Sequence, residues 1–332
     1  MRSHLKIAIV LIGCSLPLFP ARSSAQSFKF TSVNVPCSTC PGGIARSTTA
    51  YGINPDGDIV GTYTDAVGGQ HGFLMIGGQF TTLDVPGSLV GAAGNLPTTP
   101  RGINPQGEIV GSFTAPVSTA AATSPAYCPA HGSTYCIKGF FYSRGKFSLV
   151  LFPGHVGAIA QRITPTGDIY GCLHDFDMMG TMYGFGMTRF GDTSLKTDGG
   201  ELADPTRSVP ASMNNGATPD GSTIVGFYMD LTTGLTHGYL IQNGSFEPFN
   251  VPGSNYTAGW DINSLGEVVG TFQDTSGKFH GYLRTAGGYT TLDFPGAIAT
   301  KAAGINPAAD IVGNYTDTSG HTHGFLAVPA GE

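Results

Sequence analysis

Four histidines recur at one place in a repeated pattern: His71, His237, His280 and His323. Each is followed by Gly and an aromatic residue, and each lies downstream of an Asp, namely Asp65, Asp230, Asp274 or Asp317. Imidazole beside carboxylate is the chemistry of proton transfer and of metal ligation. Cys172-Leu-His-Asp-Phe-Asp177 places a thiol, an imidazole and two carboxylates in one short run, which reads as a metal cluster. Asn54-Pro-Asp-Gly-Asp58 opens like a calcium loop. A further set has binding chemistry: Tyr51, Arg101, Gln161 and Trp260 stand at equivalent places in their repeats, with Arg162 and Asp261 where other repeats carry Gly.

Comparing the repeats changes the weight of each set. A residue present at one place in several equivalent repeats is most simply scaffold, so His71 is expected to brace its own Asp65 turn. Lys138 and Tyr183 replace it in the second and third repeats. Cys172 falls where Thr62, Ser112 and Thr271 sit, and Asp175 where the other turns begin; only His174 and Asp177 are new. The Asn54 segment lacks the downstream bidentate acid of a calcium loop and reads as a turn. No metal site and no cofactor are expected. No Gly-x-Ser-x-Gly elbow supports a hydrolase triad.

The elements that position these residues come from the repeat. Anchored on the Ile of Gly-Ile-Asn, copies fall at Ile53, Ile103, Ile163, Ala217, Ile262 and Ile305. Each reads as four short strands. Strand a ends at Ile-Asn, and Asn54-Pro55-Asp56-Gly57 suits a type I turn. Strand b is Ile59 to Tyr63, an Asp-to-Gly turn follows, and strand c is His71 to Leu74. A Gly-rich turn then leads to strand d, Phe80 to Pro86. Such short strands joined by tight turns pair antiparallel with their neighbours. Gly61 and its equivalents lie inside strand b, and Gly72 and its equivalents precede an aromatic in strand c. Strand-interior Gly marks close backbone approach, here expected where one sheet's ring fills the gap over the next.

The expected fold is therefore all-β: a six-bladed β-propeller of four-stranded antiparallel blades. An open β-repeat array is the alternative. The last copy stops at Leu326 without strand d, while Phe30-Thr-Ser-Val-Asn-Val-Pro36 matches Phe80 to Pro86. Residues 27–36 are thus expected to pair with 321–328 and complete blade six, closing the ring.

GIN-x-x-G-x-[IV]-V-G followed by H-G-[FY]-L resembles the bacterial extracellular HAF-type repeat. The resemblance covers nearly all of the chain after the leader, most weakly 172–212. It implies an exported repeat protein and carries no reaction.

Export is also read from the N-terminus. Arg2, His4 and Lys6 precede an apolar run, Ile7 to Leu18, and Ser23-Ser24-Ala25 gives a small-residue cleavage site. Residues 1–25 read as a signal peptide and 26–332 as one domain. Leu11-Ile12-Gly13-Cys14 is an alternative lipoprotein box. The formal net charge is −6, and the leader holds bases but no acid, which argues against nucleic acid as a partner. No integral membrane segment follows. Cys128 and Cys136 read as a disulfide, while Cys37 and Cys40 could close a small loop or bind metal.

In an up-and-down blade the long connections fall on one face, opposite the a–b and c–d turns. Rigid scaffolds bind through such loops. Tyr51, Arg101, Gln161, Arg162, Trp260 and Asp261 would ring the axial mouth on that face, suited to a sugar or peptide, with ordinary packing between blades as the competing reading. Three functions are carried forward. The first is a secreted, periplasmic or cell-surface, non-catalytic propeller binding a glycan, peptide or envelope protein. The second is a hydrolase or lyase using His155, Arg162, His174, Asp177 and Asp261. The third is a structural matrix protein.

Overall fold

The computed structural model describes residues 27–116, 135–153, 155, 157–173, 183–188, 212–230 and 232–331. The leader with Cys14, Cys128, His174 and Asp177 lie outside the described residues. The fold is all-β, with a β-propeller arrangement. Four sheets are separate blades. Ser47–Ile53, Ile59–Thr64, Gln70–Ile76 and Gln79–Thr82 form the first. Thr98–Ile103, Ile109–Pro116, Tyr135–Ser143 and Lys146–Val150 form the second. Ala158–Ile163, Ile169–Leu173 and Tyr183–Met187 form the third. In the last, Phe28–Val33 lies beside Thr322–Pro329, followed by Ile311–Thr316 and Ala299–Ile305. An eight-stranded sheet holds two antiparallel groups, Ser212–Phe249 and Tyr256–Leu292, joined through one parallel bridge between Thr236 and Tyr256.

The turns follow from their residues. Gly57 donates its amide to the Asn54 carbonyl at 3.1 Å, and the Asn54 side chain accepts the amides of Asp56 and Asp58 at 3.0 and 2.8 Å. Gly57 has φ +83°, a conformation costly for any residue with a Cβ. The Asn side chain also reaches the next repeat. Asn104 donates to the Thr164 carbonyl, Asn263 to that of Asn306, and Asn306 to that of Asn54.

The first strand d is shorter than the sequence implies, ending at Thr82 rather than Pro86. Asp84 interrupts it, because its carboxylate takes the Gly72 amide at 3.0 Å in place of a ladder partner. The strand-b glycines also differ from expectation. A Cβ on Gly61 would collide with the Thr49 carbonyl and lie 2.8 Å from the Phe73 ring, both within its own sheet. Close approach between sheets falls instead to the strand-c glycine: a Cβ on Gly72 would lie 2.7 Å from Pro100 of the next blade.

The core lies between consecutive repeats. Val60 and Leu83 pack with Ile103 and Phe140, Val225 and Phe249 with Ile262 and Tyr282, and Val269 and Leu292 with Ile305 and Phe325. Val312, near the C-terminus, packs with Ile53 and Phe73 near the N-terminus, and Val33 joins them. The first strand pairs with the last from Phe28↔Pro329 to Val33↔Gly324. Phe30 packs edge-on to Phe294 at 5.7 Å.

Deleting residues 27–36 therefore strips a whole strand and its apolar side chains from the last sheet. The melting temperature should drop by on the order of 10 °C. An unchanged thermal melt would refute the clasp.

Candidate functional site

Every a–b strand pair carries one irregularity, at one place in the repeat. Ala50 pairs with Gly61 and Gly52 with Val60, so Tyr51 is the extra residue of a β-bulge. The same shift leaves Arg101, Gln161, Asn215, Trp260 and Ala303 unpaired in their strands. A bulge bends its strand and re-aims a side chain. Here it sends the extra residues to one place, because all of them line one narrow cavity at the axis, with room for about one water. Strand a runs toward the a–b turn, so this cavity lies on the long-connection side of those turns.

Within it, Tyr51, Arg101 and Trp260 are partly exposed, while Gln161, Arg162 and Asn215 are buried. The Arg101 guanidinium lies over the Tyr51 ring at 5.0 Å, a cation–π contact. Trp260 packs edge-on against Phe227. Asn215 donates to the Gly259 carbonyl at 2.8 Å. Gln161 hydrogen-bonds the Cys172 thiol, which burial pushes up to about 12. A thiol held protonated is not a nucleophile. Arg101 Nε, Arg162 Nε and Asn215 Oδ1 are buried without a hydrogen-bond partner among the described residues.

Arg162 and Asp261 form the floor. Their ion pair is 3.0 Å long, with side chains only 9% and 5% exposed. Arg162 also donates to the carbonyls of Arg101 and Ala303, and Asp261 accepts the Ile305 amide at 2.9 Å. Gly52, Gly102, Gly216 and Gly304 hold the equivalent places in the other repeats, and a Cβ on Gly52 would lie 3.2 Å from Arg162 Nη1. The glycines leave the axis open and the pair fills it. Burial pushes the Asp261 carboxyl up to about 6, with Arg162 and the amides of Ile305 and Ile262 pulling the other way. Below the pair, on the tight-turn side, a wider funnel is lined by Pro55, Pro105, Pro165, Pro219 and Pro307. Asp261 lines this funnel and not the mouth above.

The repeated histidines lie elsewhere and are bound within their own sheets. His71 bridges Asp84 at 2.7 Å and Asp65 at 3.3 Å, stacked on Tyr63. His280 likewise bridges Asp293 and Asp274, and His323 bridges Asn34 and Asp317. His237 bonds Asn250. Each ties strand c to the end of strand d, and the three bridging ones also hold the b–c turn. Burial alone would lower the His71 pKa, but the hydrogen bonds and charges of Asp84 and Asp65 outweigh it and raise it. Asp65 is held low, first by the Gly69 amide. His155 packs against Phe152 and lines neither axial cavity. Cys37 and Cys40 form a disulfide, and Cys136 is also disulfide-bonded; Cys128, its expected partner, lies outside the described residues. Among the described residues no group of His, Cys, Asp and Glu could hold a metal ion.

The bulge is the structural feature that the strand pattern hides. One extra residue in strand a leaves a mark in the sequence only as the step from Ala50 to Gly52 across a side chain with no partner.

No family model and no curated protein matches the chain. Among solved structures it is similar to the Hadza microbial sialidase, with TM-score 0.50 and 12% identity over 85% of this chain and 65% of that one. It is similar to TolB from Acinetobacter baumannii with TM-score 0.48 and 14% identity, over 83% and 64% of the two chains. The β-propeller domain of the Trilobed protease from Pyrococcus furiosus gives TM-score 0.46 and 8% identity, over 85% and 94%. The sialidase likeness is one of propeller fold alone. The chain spans just under two thirds of the TolB and sialidase chains.

Removing one member of a buried ion pair strands the other at a cost of about 3–5 kcal/mol. Arg162→Gly and Asp261→Gly should each cost about that much. The double variant restores the glycine of the other repeats and should cost less than either single one. Denaturant melts of the four proteins test this, and additive losses would contradict it. The stability that His71 adds should be full below pH 6.5, its unfolded value. It should fade as pH rises through the raised folded value. The gap between wild type and His71→Gln in urea melts should therefore be larger near pH 6 than near pH 9.

Proposed function

We propose that the chain is an exported, non-catalytic six-bladed β-propeller of the HAF-repeat type, binding a glycan, peptide or envelope protein through its long-connection face. The blade count takes the eight-stranded sheet as two blades, since a single parallel bridge joins its halves. Ring closure is supported by the bond from Asn306 to the Asn54 carbonyl and by the core shared between Val312 and Phe73. Export to the periplasm, the cell surface or the medium rests on the leader sequence, with lipid attachment at Cys14 as the alternative. Among the described residues no helix is long and apolar enough to cross a membrane.

The observation that carries the binding reading is the convergence of the bulged residues on one axial mouth. Tyr51 and Trp260 give flat apolar faces, and Arg101, Gln161 and Asn215 give hydrogen-bonding groups. A few converging polar groups beside aromatic rings is the makeup of a ligand site. The hydrolase reading needs an acid and a base facing one cleft. Asp261 has the raised carboxyl, yet its oxygens are engaged by Arg162 and backbone amides. Arg162 and Asp261 act here as the floor of the mouth rather than as ligand groups. The sialidase and TolB likenesses, at their low identities, lend no activity or partner to this reading.

A glycan and peptide array should return at least one ligand. Trp260→Ala and Arg101→Ala should each weaken it roughly tenfold or more while the far-UV spectrum stays unchanged. An empty array, or binding indifferent to both substitutions, would count against the proposal.

A further inference from the structure

We infer that the proline-lined funnel at the tight-turn end docks a cationic segment of a partner protein, seating one aliphatic side chain on the axis with Lys or Arg residues around it. This surface lies at the opposite end from the binding face proposed above and stands independently of it. Three observations carry it. First, the funnel is apolar. Its wall is the anchor residue of each repeat, Ile in five and Ala217 in the other, and its outer ring is Pro in five turns and Ser264 in the sixth. It has room for about five waters, enough for one aliphatic side chain.

Second, the apolar surface continues outward. Pro55, Pro105 and Pro307 are exposed, and Leu265, beside Ser264, is 72% exposed. A single exposed Leu is ordinary, whereas one next to an apolar funnel extends a patch of the kind that binds another protein. Pro has a fixed φ and no amide to satisfy, so the patch is rigid before a partner arrives.

Third, the rim has one sign of charge. Asp58, Asp168, Asp220, Glu267 and Asp310 hang from five of the a–b turns, and Asp56 adds an exposed sixth carboxylate. The first five accept hydrogen bonds from Asn or Thr side chains of their own turns, neutral donors that leave the charge in place. No a–b turn carries a base, and the Arg162–Asp261 pair at the floor has no net charge. Among the described residues the bases at this end, Arg144, Lys146 and Arg284, stand at c–d turns, two strands out from strand a. Carboxylates around an apolar recess focus a negative potential on it. The partner must therefore be apolar at its tip and positive around it. A second copy docking through the same end would set two acidic rims together, and an anionic membrane is repelled in the same way.

Titration calorimetry of the full chain with a capped Lys-Lys-Leu-Lys-Lys peptide tests the inference. The controls are the same peptide with Ser in place of Leu, the same peptide with Glu in place of every Lys, and spermine. The Leu peptide should bind at least tenfold more tightly than each control, and more weakly as salt is raised. Ser264→Phe, which fills the edge of the funnel, should weaken it about tenfold. Asp56→Lys should weaken it several-fold; the turn uses the Asp56 amide and not its side chain. Both positions are exposed, and unchanged thermal melts check that the variants fold. Equal affinity for the Leu and Ser peptides, or for spermine, overturns the inference, because charge alone then accounts for binding. A Glu peptide bound as tightly overturns it from the other side. Binding indifferent to both substitutions, or no binding of the Leu peptide at millimolar concentration, overturns it as well.

Discussion

A single steric constraint sets the geometry of every repeat. The strand-b glycine lies so close to the strand-a backbone that a Cβ on Gly61 would collide with the Thr49 carbonyl. The ring of the strand-c aromatic covers the same spot: Phe73, Phe140, Phe185, Tyr239, Tyr282 and Phe325 stand over Gly61, Gly111, Gly171, Gly226, Gly270 and Gly313. Only a residue without a side chain fits between the two. The contact also sits at the edge of the bulge, since Gly61 pairs with Ala50 just before the register shifts. The bulge then decides which side chains reach the axis. Scaffold and site are therefore two sides of one packing arrangement.

Closure uses a second set of contacts. The Asn of Gly-Ile-Asn holds its own turn with its oxygen and the next repeat with its amide nitrogen, and Asn306 reaches Asn54 across the whole chain. Each apolar cluster straddles two repeats, so no repeat holds a complete core of its own. Stability in such an array comes from neighbour interfaces. The N-terminal strand supplies the piece that the last sheet would otherwise lack.

Much of the fold could be read from the residues because it is written in glycine, turn chemistry and period. Asn54 to Gly57 forms the turn that its residue types imply. Phe28–Val33 pairs with the C-terminal strand, close to the register that the match between Phe30 and Phe80 implies. The His–Asp braces follow from comparing repeats, although Asp84 and Asp293, their second partners, do not stand out in strand d. The strand-b glycine reads as contact between sheets while its close contacts lie within its own sheet, because sequence gives adjacency and not direction. The mouth was legible as a row of aligned positions. The bulge that creates it was not, since residue types alone do not say which position of a short strand goes unpaired. Nor could the separation of Arg162 from Asp261 by a whole repeat be bridged without the ring in hand.

The Arg162–Asp261 pair has a consequence beyond closing the axis. A ring of near-equal repeats offers an axial ligand several orientations of nearly equal energy, each related by one step around the ring. Two charges of opposite sign, on repeats that are not neighbours, remove that rotational degeneracy. A ligand entering along the axis would meet Arg162 from one side and Asp261 from the other, so a pseudo-symmetric scaffold acquires one azimuth unlike the others.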